Sequence, residues 1–257
     1  MPLTSAASLS RRLCLLLGLS SALLLPPAAH AQAPAADAAL PFKAPAPVRI
    51  AYDVEGVIGS PYTGSAELVW AHDGKRYQSQ LLIRKFGLTL QAWTSQGALG
   101  ERGLEPDIFT SKRLGQSEIN ARFQRITGRV VFSEGTPDAV LQNGAQDQLS
   151  VFMQLASLLA GSSTSRPGAD TGPAISLQAI GDRYAEQWSF KASKPEAVKL
   201  AGGSVQAVKF THEPTAERKQ RLELWYAASQ QFLPVRIRIT ESNGDFLDLL
   251  RAVSTNP

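Results

Sequence analysis

This 257-residue chain holds a single cysteine and three histidines. Cys14 and His30 both fall in an N-terminal stretch that reads as an export signal. The chain left after its removal has no thiol, so it can form neither a disulfide nor a cysteine nucleophile. Only His72 and His212 remain, with no His-x-x-x-His or similar spacing, which argues against a zinc site. Each sits among turn or strand-end residues and reads as an exposed histidine. No Gly-x-Ser-x-Gly elbow is present for a serine nucleophile. Gly202-Gly203 lacks the Lys-Ser/Thr partner of a phosphate loop. No catalytic, metal or cofactor residue is assigned, and no cofactor is expected. Dense lysine–arginine runs are missing too, so nucleic acid is not an expected partner. The nearest cluster, Arg218-Lys219-Gln220-Arg221, reads as a solvated turn.

What is present begins with the signal. Arg11 and Arg12 precede an apolar run from Leu13 to Leu25, Pro26 and Pro27 end any helix, and Ala29-His30-Ala31 offers a small-x-small site. Residues 1–31 are therefore expected to be a signal peptide cleaved near Ala31, giving a periplasmic protein. The apolar run is shorter than the roughly 20 residues of a spanning helix. Cys14 lies before most of it, which disfavours lipidation. Ser10-Arg11-Arg12 leaves the export route, general or twin-arginine, open. Removing the two arginines takes the 26 basic residues to 24 against 22 acidic ones.

Residues 32–47 are rich in alanine and proline and are expected to form a disordered tether. From Val48 the period is two. Ile50, Tyr52 and Val54 alternate with Ala51, Asp53 and Glu55; Ala66, Leu68 and Trp70 alternate with Glu67, Val69 and Ala71; Val235, Ile237 and Ile239 alternate with Arg236, Arg238 and Thr240. Such alternation places one strand face on a core and the other in water. Turn residues separate the runs, as in Gly59-Ser60-Pro61 and Asn243-Gly244-Asp245. About ten to thirteen strands are expected, in an antiparallel meander forming an open or curled β-barrel.

One segment departs from this period. Gln146 to Ala160 is apolar on most sides, and a helix of that kind is buried. Asn143 is expected to cap it, Asp147 to sit at the positive end of its dipole, and Gly161 to close it. The chain from 48 to 257 thus reads as one mainly β domain. Its single α-helix, about 145–161, packs in the concave face of the sheet, and an internal loop spans 162–174. If the curled sheet encloses a cavity, Tyr52, Leu68, Trp70, Phe152 and Trp188 are the residues expected to line it. Aromatics of this kind fill a core equally well.

Several stretches, taken together, resemble a bacterial family. They are Ile50-Ala51-Tyr52-Asp53-Val54, Gly97 to Pro106, Asn143 to Ser150, Leu224-Trp225-Tyr226, Leu233 to Ile237 and Asn243-Gly244-Asp245. The family is domain of unknown function 3108, whose members are exported and uncharacterised. More loosely, the strand–turn–strand ending resembles that of periplasmic lipoprotein carriers, which hold acyl chains in an open β-barrel covered by helices. Both likenesses imply an envelope protein, and the second an apolar or lipid-like ligand. Two alternatives stay open. One is a structural or scaffolding role in the envelope. The other is a hydrolase acting through carboxylates such as Asp53 with Glu55, or Asp245 with Asp248. The first pair shares a strand face and reads more simply as an outward polar face.

Overall fold

A computed structural model describes residues 40–165, 174–215 and 219–253. The signal segment and its cleavage site lie outside the described residues, as do most of the expected tether and the middle of the expected internal loop. Eight strands come first: β1 (Val48–Val57), β2 (Pro61–His72), β3 (Arg76–Lys85), β4 (Leu88–Gly100), β5 (Gly103–Arg113), β6 (Ile119–Gln124), β7 (Arg129–Phe132) and β8 (Ala139–Val140). A two-residue strand, β9 (Gln146–Asp147), leads into helix α1 (Ser150–Ser165). The rest follow as β10 (Ile175–Ile180), β11 (Ala185–Ala192), β12 (Glu196–Leu200), β13 (Gly203–His212), β14 (Arg221–Ala227), β15 (Leu233–Thr240) and β16 (Phe246–Arg251). The sixteen strands exceed the number legible as alternation. Strands of two residues, such as β8 and β9, are too short to display a period.

All of them belong to one sheet. Its order runs β8-β7-β6-β5-β4-β3-β2-β1-β16-β15-β14-β13-β11-β10-β9, with β12 added beside β13. Every pairing is antiparallel except β9 with β10, which is parallel. Curvature follows from the helix contacts. α1 touches both β5 and β15, which stand six strand positions apart in the sheet order. On a flat sheet that is roughly 29 Å, against a helix diameter of about 10–12 Å. One helix can reach both only if the sheet curls round it. The two sheet edges, β8 and β9, do not pair with each other, so the curled sheet stays open along one seam.

The alternation seen in the sequence decides which residues face inward. Ile50, Tyr52 and Val54 on β1 are buried, while Ala51, Asp53 and Glu55 are exposed. Every residue from Leu149 to Leu159 is buried. The helix therefore fills the concave side as expected, although its ends fall elsewhere. It starts later because Gln146 and Asp147 pair with Ala179 and Ile180 as β9. It ends later because Gly161 does not terminate it. A Cβ at Gly161 would stand 2.1 Å from the Pro41 carbonyl oxygen. The glycine is there for close approach of a neighbouring backbone, not for a left-handed cap.

That neighbour is the end of the expected tether. Over residues 40–47 the stretch is not free. Leu40, Phe42 and Ala44 pack against the core. Lys43 N donates to Ser157 O at 3.1 Å, and the Trp70 indole donates to Pro45 O at 2.9 Å. Backbone hydrogen bonds and a few apolar side chains thus hold a composition that looks structureless.

A β-bulge corrects one further expectation. The register of β14 on β15 shifts between Trp225 and Tyr226. Val235 consequently leaves the face of Ile237 and joins a second, smaller apolar cluster with Val198, Ala207, Trp225 and Ala227. One extra residue in a strand turns the following side chains to the other face. The outward face is therefore not wholly polar: β12 lies beside β13 at that patch, and Glu196 accepts the Trp225 indole hydrogen.

Candidate functional site

The interior beside α1 combines the main apolar cluster with a concentrated polar region. That region lies where β9 turns into the helix. Asp147 is fully buried, and its Oδ1 accepts from the backbone N–H groups of Leu149 at 2.9 Å and Ser150 at 2.7 Å. Asp147, not Asn143, thus satisfies the first unpaired donors of the helix. Its Oδ2 accepts from Ser95 Oγ on β4 at 2.5 Å. With that hydrogen committed, Ser95 Oγ accepts from the Tyr77 hydroxyl on β3 at 2.9 Å. Asp147 N donates to Ser150 Oγ at 2.8 Å, and Ser150 Oγ donates to Gln146 Oε1 at 2.9 Å.

Burial governs the charges here. It lifts the Asp147 carboxyl from its ordinary 3.8 to about 6, against the opposing pull of the Ser95, Ser150 and Leu149 hydrogen bonds. Burial also raises the Tyr77 phenol well above its usual range, and the nearby Asp147 charge adds to this. Burial thus brings the Asp147 carboxyl to about 6, well above the ordinary carboxylate range.

Three buried glutamines stitch the seam. On β5 only Ile108 to Ser111 pair with β6. Nearer its start, Leu104 N donates to Gln154 Oε1 on α1 at 2.8 Å, and Leu104 O accepts from Gln146 Nε2 at 2.7 Å. At the edge of the sheet, Gln178 on β10 reaches toward β8. Its Oε1 accepts from Gln142 N at 2.9 Å, and its Nε2 donates to Val140 O at 2.8 Å. A primary amide carries the same donor and acceptor as a peptide unit. These side chains therefore stand in for the missing strand ladder and satisfy backbone groups that burial would otherwise penalise.

The five residues expected to line a cavity come together. Tyr52, Leu68, Trp70, Phe152 and Trp188 are all buried in the main core cluster. Two of their side chains are tied to backbone: the Tyr52 hydroxyl donates to Pro234 O at 2.8 Å and the Trp70 indole to Pro45 O at 2.9 Å, while the Phe152 carbonyl accepts from the Tyr226 hydroxyl at 2.9 Å. The carboxylate pairs lie elsewhere. Asp53 and Glu55 are exposed on the outer face. Asp245 accepts from Gly59 N in a turn, whereas Asp248 is paired with Arg236 and Arg238.

Three features escaped the sequence reading. His212, expected at an exposed strand end, is 2% exposed and stacks on Trp188 with ring centroids 5.0 Å apart. His72 is half-buried at the end of β2, with Nε2 2.9 Å from Pro45 O. The polar region was missed because Ser95-Gln96-Gly97 reads as a turn in sequence but lies inside β4, and Ser150 stands in the first turn of α1. The one available signal was Gln146-Asp147-Gln148 directly before an apolar helix. Among the described residues, no helix is long and apolar enough to cross a membrane.

Residues 52–250 match the family described as "Protein of unknown function (DUF3108)". No match was found among curated proteins. Among solved structures the chain is similar to a β-barrel-like protein of the domain of unknown function DUF1849 from Brucella abortus. The likeness has 12% identity and a TM-score of 0.50, over 82% of this chain and 97% of that one. It extends to the fold alone. A putative outer membrane lipoprotein-sorting protein domain from Vibrio parahaemolyticus matches at 8% identity and a TM-score of 0.27, over 82% of this chain and 87% of that one. That similarity is too slight to carry an argument.

Proposed function

The chain belongs to the DUF3108 family of proteins of unknown function, and from that premise we propose that it is an exported, periplasmic envelope protein that binds or carries an apolar, lipid-like ligand without catalysing a reaction. One observation carries this reading: a sheet curled round a single helix that is apolar on most sides and buried along its length. The hydrophobic effect that seats α1 is non-directional and scales with apolar area. An apolar guest lying along the same wall would be retained by the same force. It would contact Tyr52, Leu68, Trp70, Phe152 and Trp188, with α1 shifted about its Asp147 anchor. Export rests on the signal pattern of residues 1–31, and the folded domain on the stretch from Val48 onward.

Tryptophan positions supply the test. Trp70 and Trp188 are in the core, whereas Trp225 belongs to the outer cluster. Titration with a fatty acid brominated along its chain should quench fluorescence to saturation. Trp70→Phe and Trp188→Phe should each remove part of the quenching, and Trp225→Phe should not. Absence of saturable quenching, or quenching that depends only on Trp225, would count against an interior ligand.

A further inference from the structure

The rim of the sheet formed by the β1–β2, β3–β4 and β5–β6 turns carries features that the folded chain itself does not use. Antiparallel pairing places these alternate turns at the same end of the sheet. Val57 pairs with Pro61 around the first turn, Lys85 with Leu88 around the second, and Leu114 N donates to Leu90 O at 2.9 Å as the chain enters the third. Neighbouring tips in the row are two strand positions apart across the sheet, about 10 Å, and the β1–β2 tip reaches a few residues further along its strands, because Arg84 pairs with Ser65. Among the described residues, seven large hydrophobic side chains are exposed, and four lie in this row: Ile58, Phe86, Leu88 and Leu114. The other three, Ile126, Val140 and Val253, lie outside these turns.

Phe86 is the most informative of the four. It is 92% exposed, so its ring gains almost nothing from the folded chain. It also sits at φ 51°, followed by Gly87 at φ 77°. Two consecutive residues in the left-handed region make the tight hairpin turn that favours Asn-Gly. A bulky side chain there is an outlier. Phe232 has a similar φ of 56°, but its ring packs against the core. Phe86 packs on no core; its ring contact is with the Lys85 ammonium. An unfavoured backbone position holding an unburied aromatic points to a partner outside the chain.

Charge identifies the partner. Arg84, Lys85, Lys112 and Arg113 flank the tips, and within the same turns the only acid is Glu118. The ammonium of Lys85 lies 4.8 Å from the Tyr62 ring and 5.5 Å from the Phe86 ring, at the level of the apolar tips. Asp245 in the neighbouring turn is engaged with Gly59 N. Separate apolar tips on three hairpins suit a fluid apolar layer better than a shaped protein pocket. Basic side chains at their bases suit the phosphates above that layer. We propose that this rim docks on an anionic phospholipid bilayer, with Phe86 inserted and the four basic residues on the headgroups. Docking of this kind stands whether or not the interior takes up a ligand.

The test is flotation of the purified exported chain with vesicles, without added ligand. One set is phosphatidylcholine alone and the other contains phosphatidylglycerol. Binding should need phosphatidylglycerol and weaken as salt screens the charges. Phe86→Asn should lower binding by about tenfold or more, since a buried aromatic contributes at least that much. Asparagine is at home in this turn, so the melting temperature should hold or rise. The Lys112→Glu, Arg113→Glu double variant should also lose about tenfold or more. Ile126→Asn, in the β6–β7 turn at the other end, should bind as the parent does. The proposal is overturned if the parent chain does not float. It is equally overturned if Phe86→Asn floats undiminished, or if Ile126→Asn loses as much.

Discussion

Ionising Asp147 should weaken the fold, and the structure sets both the sign and the size of the effect. Its carboxyl titrates near 6 in the folded chain against 3.8 for an ordinary aspartate. The folded state therefore holds the proton more tightly than the unfolded state does. The stability this supplies is complete below about pH 3.8 and declines as pH rises. It is gone once pH has passed the folded value near 6. Over the whole window the separation is worth about 3 kcal/mol, and between pH 4.5 and 7.5 about 2 kcal/mol. Other carboxylates titrate over the same range, so the comparison must be with Asp147→Asn. Asparagine can still cap the helix but carries no charge. Urea unfolding of both chains, followed by tryptophan fluorescence, gives the stability difference at each pH. Parent minus variant should fall by about 2 kcal/mol from pH 4.5 to 7.5. A difference that stays flat, or that rises with pH, would refute the idea that burial dominates at this carboxyl.

Three further perturbations probe the helix and the seam. Phe152→Ala removes a fully buried ring and should cost about 3–5 kcal/mol in chemical denaturation; a cost near zero would place α1 outside the core. Gln178→Ala strips partners from Gln142 N and Val140 O and should cost about 1–3 kcal/mol. Amide exchange at Gln142 should quicken in that variant, and unchanged exchange would mean that the amide does not hold the seam. Gly161→Ala forces a methyl onto the Pro41 carbonyl and should destabilise by about 1–3 kcal/mol. An unchanged midpoint would show that residues 40–43 yield freely.

The large features of the fold were legible because they rest on periodicity. Strand alternation at Ile50, Tyr52 and Val54 and the largely apolar helix around Phe152 each follow from which faces must leave water. What stayed illegible rests on single residues in three-dimensional company. Gly161 looks like a helix stop in sequence, yet its lack of a side chain serves the close approach of Pro41. Val235 looks inward by alternation until a bulge turns it outward. Ser95, Gln154 and Gln178 look like ordinary polar residues, and only the curled sheet brings them to Asp147, Leu104 and the β8 edge. The row of apolar turn tips was equally hidden. Ile58, Phe86 and Leu114 lie far apart in the chain and become neighbours only through the strand order.

The most direct test of the carrier reading is to purify the protein from its native envelope, extract it with organic solvent and analyse the extract by mass spectrometry. An interior that serves a ligand should release one class of apolar molecule in near-stoichiometric amount, and Phe152 variants that disturb the helix wall should release less. Protein that is consistently empty, and that takes up nothing when offered the envelope's own lipids, would contradict the carrier reading.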